Sequence, residues 1–283
     1  MIDFIKFRNG KMKSWFYNSL LGLFLFTTIG DGFTLAQTVE EYKPQVGQQG
    51  KDVIWVPTPQ ALVEKMLDVA GVTPKDYVID LGSGDGRTVI AAAKRGVRAL
   101  GIEYNSDMVE LSKRNAAKEG VSDKAAFVKA DLFESDFSQA TVITMFLLAD
   151  INLKLRPRIL SLAPGTRVVS NNFTMGAWSA DQIVTAEDDC TLYCVAYFWI
   201  VPAKVEGVWQ LGGRELTLIQ TFQMISGTLK SGGDTLQVVD GRLEGNRITF
   251  TAGNDEYVGR VDGDAMDGVV SAGGNWKASR ANH

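Results

Sequence analysis

Ten residues, Val78-Ile-Asp-Leu-Gly-Ser-Gly-Asp-Gly-Arg87, leave this chain few folds to choose from. Tyr77, Val78, Ile79 and Leu81 form a strand of the buried kind, which runs into Gly82, Gly84 and Gly86. Residues 87–95 continue at once as a helix-compatible run. A strand, a glycine turn and a helix in that order build a ligand site at the carboxyl end of the first strand of an open α/β sheet. The glycines allow positive φ and let backbone approach a ligand closely.

The acidic residues of the turn select the ligand. A diphosphate seeks amide donors and the positive end of a helix. Here Asp80 and Asp85 frame the glycines and would repel a diphosphate, whereas an ammonium or a sulfonium would be attracted. The spacing Asp-x-Gly-x-Gly-x-Gly also differs from the Gly-x-Gly-x-x-Gly of dinucleotide sites. The expected ligand is S-adenosylmethionine (SAM) rather than NAD, with a ligand-free glycine turn as the plain alternative.

At 283 residues, 45% hydrophobic and 22% charged, the chain can bury a sizeable core in one large or two ordinary domains. A net charge of −4 argues against holding nucleic acid by bulk electrostatics. The single histidine is His283, so a histidine base, a catalytic triad and a histidine-held metal are not expected. Methyl transfer needs none of these, because in-line displacement depends on positioning and on a deprotonated nucleophile.

Residues 1–36 read as a targeting segment. Lys6, Arg8, Lys11 and Lys13 precede an apolar run over residues 20–29, and Thr34-Leu-Ala36 offers a small-residue end. An uncleaved membrane anchor through residues 15–30 is the alternative. Either way the basic flank sends the rest of the chain out of the cytoplasm, in conflict with a cofactor made in the cytoplasm. Residues 37–53 are polar and read as a linker. Thr58 then reads as an N-cap with Pro59 at the first helical position, opening a helix whose Leu62, Val63, Met66, Leu67 and Ala70 share a face.

Past the glycine turn, residues 99–103 read as a second strand ending at Glu103, where a carboxylate can accept both ribose hydroxyls. A helix over 107–118 leads to a third strand at 125–130, ending at Asp131 and Leu132, where an acid can accept from an adenine amino group. Residues 141–148 read as a fully apolar fourth strand, followed by the start of a helix near Asp150. A fifth strand is expected at 166–170. Residues 171–178 are too short for a crossover helix, and further strands are expected near 182–185 and 191–201. Strands alternating with helices mean a mostly parallel sheet, a Rossmann-like open sheet of about seven strands over residues 54–202.

Cys190 and Cys194 fall in the last of these strands. There their sulfurs would lie about 13 Å apart, beyond disulfide reach, so two buried thiols are expected. From residue 203 the texture changes to short alternating runs cut by Gly-Gly, Asp-Gly and Gly-Asn turns. That is a meander of antiparallel hairpins, best closed as a small barrel or sandwich over residues 203–283. Gly207-Val-Trp209 and Arg280 resemble the Gly-x-Trp and arginine pairing of the calycin barrels, and plain core packing accounts equally for Trp209 and Trp276.

Taken together, the chain resembles class I, seven-strand SAM-dependent methyltransferases. Over residues 54–201 it is similar to the small protein-lysine methyltransferases of archaea and their mitochondrial relatives. Trp55-Val-Pro-Thr-Pro, residues 80–87, Thr144-Met-Phe-Leu-Leu148, Leu155-Arg-Pro-Arg and Pro164-Gly-Thr-Arg-Val-Val-Ser carry that likeness. The resemblance implies that Asp80, Gly82 and Gly84 hold the methionine end of SAM, and Ser83, Asp85 and Gly86 of the same turn are further candidate cofactor-binding residues. It gives Glu103 the ribose and Asp131 with Leu132 the adenine, and it has Thr58 close over the cofactor. Phe146 and Asn152 would line the acceptor channel. Asp150 is a candidate proton acceptor, with a helix cap as its structural alternative. The chain departs from the family at Trp55, where tyrosine is common, and at Asn171-Asn172, where histidine and an acid are common. Those departures bear on the acceptor.

Three functions stay open at this level: transfer of a methyl group to a protein lysine, transfer to a small metabolite, and an exported SAM-binding module without turnover. No metal and no nucleic acid are expected in any of them.

Overall fold

The computed structural model describes residues 42–281, so the expected targeting segment at residues 1–36 lies outside the described residues. Seven strands form one sheet: β1 (Tyr77–Leu81), β2 (Arg98–Glu103), β3 (Ala125–Lys129), β4 (Val142–Met145), β5 (Arg167–Asn171), β6 (Gln182–Thr185) and β7 (Val195–Ile200). Their order is β3-β2-β1-β4-β5-β7-β6. β1 to β5 pair in parallel, and β7 is antiparallel to both β5 and β6. The direction of the strand order reverses beside β1, between β2 and β4. That switch point is where open α/β sheets leave a crevice for a ligand.

The two faces of the sheet follow the period of two in each strand. On one face, Val78, Ala99, Val142 and Val169 meet α1 (Gln60–Val69), α2 (Arg87–Lys94) and α3 (Ser106–Lys118). On the other, Ile79, Leu81, Ile143 and Val168 meet Ile151, Leu155 and Ile159 of α4 (Ala149–Ile159), together with Trp178 and Trp199. Asp80 shares its face with Val78, and Thr144 with Val142, so both point toward the helices that carry the glycine turn. In α1 the expected stripe is buried: Leu62, Val63, Met66 and Leu67 are 0–1% exposed, and each such burial stabilises by about 1.5–3 kcal/mol.

Three local expectations are corrected. Pro59, not Thr58, is the N-cap of α1, and no side chain caps that helix; the Thr58 hydroxyl instead accepts from Asn171 Nδ2 at 3.3 Å. β4 ends at Met145, because the chain turns at Phe146 and Leu147 toward the crevice before α4 begins. α4 runs through Pro157 to Ile159.

The expectation of free thiols at the cysteines is the third. Cys190 and Cys194 are joined by a disulfide, with Cα atoms 5.7 Å apart. The geometry differs from the expectation because residues 187–194 are not extended. β7 starts only at Val195, and Asp189 and Tyr193 take φ of 54° and 58°, which folds the segment back on itself.

Residues 207–280 close into a barrel of eight antiparallel strands, β8 (Gly207–Leu211) through β15 (Asn275–Arg280), each paired with its neighbour in sequence and β15 with β8. Its interior is filled by Trp209, Leu216, Leu229, Phe250, Tyr257 and Trp276. The Arg280 guanidinium lies 4.3 Å from the centre of the Trp209 ring and donates to the carbonyls of Lys204 and Glu206, so the tryptophan–arginine pair is present in a packed core. Val201 belongs to the core of the sheet and Ala203 to that of the barrel. Sheet and barrel belong to one compact unit.

Candidate active site

The cavity at the switch point is assembled from chain ends that the sheet brings together. The turn after β1 supplies Gly82, Ser83, Gly84 and Asp85; β2 ends at Glu103; residues 130–132 follow β3; residues 146–148 follow β4. Residues 48–58 form a strap across it, with Gln49 bridged to Ile54. From Gln48 onward, the stretch expected to be a linker is therefore cavity wall.

Every second residue of the turn has a left-handed backbone. At Gly84, φ is 54° and the Trp55 indole nitrogen stands 2.7 Å from where a Cβ would be. The strap thus sits directly on the turn. Gly86, with φ of 82°, is the N-cap of α2 and packs against Phe127 and Ser112, which leaves it outside the cavity lining. It serves the turn and not the ligand wall, contrary to the expectation for it. α3 braces the turn from below, through Ser112 Oγ to Gly84 O at 2.9 Å and Asn115 Nδ2 to Asp85 O at 3.0 Å.

The acids play separate parts. Asp80 is 6% exposed and accepts from Thr144 Oγ1 at 2.6 Å, its register partner across β1 and β4. Burial pushes its carboxyl up to about 7; the Thr144 bond pulls the other way, and the charges of Glu103 and Asp85 add to the rise. Glu103 accepts from the backbone N–H groups of Gly84 and Asn105, both at 2.9 Å. Asp85 pairs with Arg87 through two hydrogen bonds, of 3.0 and 2.6 Å. Its charge is largely met within the protein, so the repulsion expected of it toward a diphosphate rests on Asp80 and Glu103 instead. Arg87 also donates to Thr58 O at 2.8 Å, tying turn to strap. Asp131 accepts from Phe133 N at 2.8 Å and forms an ion pair with Lys51 of the strap; that pair holds its carboxyl below the usual range.

These residues fit SAM. A buried carboxylate raised toward neutrality, with a second acid beside it, is a site short of positive charge, and a ligand bearing an ammonium and a sulfonium supplies it. Among the described residues no group of three or more histidine, cysteine or acidic side chains is placed to hold a metal ion.

One end of the cavity is aromatic. Phe146 lies 6.2 Å from Phe173 and 5.2 Å from Tyr193, centre to centre, and Trp55 lines the same cavity over Gly84. Of the expected acceptor residues, Phe146 lines this end. Asp150 is exposed in the first turn of α4, between the lining residues Leu148 and Ile151 but not itself among the lining. Asn152 is fully buried behind it, where Nδ2 donates to Ser170 Oγ and to the carbonyls of Phe173 and Thr174 at 3.1–3.3 Å. Asn152 therefore holds the segment that presents Phe173. Phe173, Tyr193, Thr144 and the strap residues before Trp55 were not singled out from the sequence, whereas Trp55 and Thr58 were. Of the former, only Thr144 left a trace there, as a polar residue inside an apolar strand.

The ANTKMT methyltransferase domain matches residues 80–182. A protein-lysine N-methyltransferase of Saccharolobus islandicus (strain REY15A) is 44% identical over 139 residues, which are 48% of this chain and 86% of that protein. The adenine nucleotide translocase lysine N-methyltransferase of Mus musculus is 33% identical over 124 residues, 43% of this chain and 54% of its own length. Among solved structures, an RNA methyltransferase from Salinibacter ruber in complex with S-adenosyl-L-homocysteine is 45% identical. It covers 53% of this chain and 96% of its own, with a TM-score of 0.50. Each of these likenesses covers little more than half of this chain at most.

Proposed function

The chain belongs to the family of SAM-dependent methyltransferases that carry the ANTKMT methyltransferase domain, and from that premise we propose that it methylates the ε-amine of a protein lysine. The observation that carries this reading is the joining of acids and aromatic rings in one cavity. Glu103 and Asp80 draw a cation toward the site, while Trp55, Phe146, Phe173 and Tyr193 strip water from it. Relatives named as lysine methyltransferases support the same acceptor.

SAM, when bound, supplies a methyl group on a sulfonium, open to in-line attack. The protein's own part is to hold and to desolvate. Asp80, steadied by Thr144, and the Gly82–Gly84 backbone would take its charged amino-acid end; Glu103 would take the ribose, and Asp131 with Leu132 the adenine. A lysine in water has a pKa of about 10.4 and must lose a proton before it can attack. Exclusion of water at the aromatic wall lowers that value, and the ring faces offset part of the cost while the ammonium enters. Asp150 is exposed and does not itself line the cavity, so in this reading the proton is released to solvent.

The full chain, incubated with methyl-labelled SAM and a mixture of cellular proteins and RNA, tests the acceptor. Label recovered as methyl-lysine after acid hydrolysis is the expected result. Label confined to RNA or to small molecules would rule the lysine reading out. The net charge of −4 and the acidic cavity favour the cationic acceptor over a polyanion.

Export belongs to the same proposal. Its support is the basic-then-apolar pattern of residues 1–36 and the Cys190–Cys194 bridge, since disulfides persist in oxidising compartments. Such a location requires SAM to reach it. Mass spectrometry of the chain purified from fractionated cells checks this: an intact N-terminus in the cytoplasmic fraction, with both thiols reduced, would overturn export.

A further inference from the structure

At the aromatic end of the cavity the chain closes a small ring on itself. The Cys190–Cys194 bridge joins residues four apart in sequence, and a hydrogen bond from Ala186 N to Cys194 O at 2.9 Å closes its base. Of the residues inside the ring, Leu192 faces outward at 71% exposure, whereas Tyr193 is 39% exposed and lines the cavity. Tyr193 takes φ of 58°, a left-handed conformation that an L-residue with a bulky side chain adopts only at a cost. An open chain would relax away from it; a closed five-residue ring restricts that relaxation. The Tyr193 ring is set at 59° to Phe146, while Phe146 and Phe173 lie at 27° to each other. Three rings thus border the place where the acceptor must enter, and they rest on three separate supports: the loop after β4, the segment held by Asn152, and the disulfide ring.

We infer that Tyr193 is a specificity-determining residue for the acceptor, and that the Cys190–Cys194 bridge sets acceptor binding by holding Tyr193 against Phe146. The class of side chain so recognised, an alkyl chain ending in an amine, rests on the lysine reading above. Cations are drawn to the faces of aromatic rings, and such contacts are worth most where water is excluded. Opening the bridge should release Tyr193, widen the mouth and weaken amine binding, while Asp80, Glu103 and the glycine turn continue to hold the cofactor.

The test uses the full chain saturated with S-adenosylhomocysteine, whose own affinity is first measured by calorimetry, and then titrated with n-butylammonium as a probe for the lysine side chain. Five forms are compared: wild type with the bridge intact, wild type reduced with dithiothreitol, Tyr193→Phe, Tyr193→Ala, and Cys190→Ser with Cys194→Ser. S-Adenosylhomocysteine is expected to bind all five within about twofold. n-Butylammonium is expected to bind bridged wild type and Tyr193→Phe alike, and to bind the reduced, Tyr193→Ala and double-serine forms about fivefold more weakly, as the loss of one cation–π contact would give. Reducing Tyr193→Ala should weaken it no further. Equal binding with and without the bridge would overturn the inference, as would failure of the bridged form to bind the probe. A matching loss of S-adenosylhomocysteine affinity would overturn it too, by assigning the loop to the cofactor pocket. If the probe behaves as expected but no protein lysine is labelled, the lysine reading falls and Tyr193 keeps its place as an acceptor wall.

Discussion

Asp80 shows how a single position carries both recognition and a stability cost. Its folded pKa of about 7 lies well above the ordinary value of 3.8, so burial favours the protonated form. The stability that goes with that form is fully present below about pH 4 and is lost as pH rises toward 7. Without ligand, Asp80→Asn is therefore expected to be more stable than wild type at pH 7.5, by a margin that shrinks toward pH 4. Denaturant midpoints at the two pH values check this. Cofactor binding runs the other way, because the positive charges of SAM select the ionised carboxylate. Calorimetry between pH 5.5 and 7 should show wild-type affinity falling as pH drops, approaching tenfold per unit at the limit. Asp80→Asn should bind more weakly and without that slope. Thr144→Val removes the partner of a buried carboxylate, a loss of about 1–3 kcal/mol, and is expected to appear as weaker SAM binding.

Among the elements, the glycine turn and the strap are fitted to each other as well as to the sheet. The Trp55 indole occupies the space a side chain at residue 84 would need, and Arg87 fastens turn to strap through Thr58. Gly84→Ala places a Cβ in that space on a left-handed backbone, at a cost of roughly 1–3 kcal/mol for the conformation. The expected outcome is a fall in SAM affinity of about tenfold or more, with β1 and α2 still formed. Calorimetry paired with circular dichroism separates the two effects.

For the molecule as a whole, the barrel lies outside the cavity but is tied to a segment that helps to form it. Phe222, in the turn between β9 (Arg214–Thr221) and β10 (Met224–Ser231), stacks on Trp178 with ring centres 6.1 Å apart and faces the guanidinium of Arg156 at 5.4 Å. Arg156 donates to Met175 O at 2.7 Å, two residues beyond Phe173. Gln223 donates to Ser179 O at 2.8 Å, and Arg242 pairs with Asp181 at 2.5 Å. Through these contacts the barrel buttresses the acceptor side of the sheet. Phe222→Ala, at a half-buried position, is expected to lower stability by about 1–3 kcal/mol. SAM affinity should be unchanged, because no residue of the barrel lines the cavity. Chemical denaturation and calorimetry on the same variant measure both.

Much of this was legible in the residue order because it depends on local physics. Glycines at 82, 84 and 86 mark a turn of positive φ. Apolar runs at 77–81 and 142–145 suit strands buried on both faces, and alternation past residue 203 suits a meander. The acids at 80, 103 and 131 follow from the strand–turn rhythm, since each ends or follows a strand that the sheet then aligns. What the order of residues left open depends on contacts distant along the chain. The disulfide could not be read because a left-handed pair, Asp189 and Tyr193, folds back a segment whose composition suits a strand. Tyr193, Phe173 and the strap reach the cavity from parts of the chain far from the turn, and no spacing rule records such approaches. Asp150 and Asn152 lie two residues apart, but the rotation of α4 turns one to solvent and buries the other. Local geometry is written in neighbouring residues; the walls of a cavity are settled only when distant segments compete for the same space.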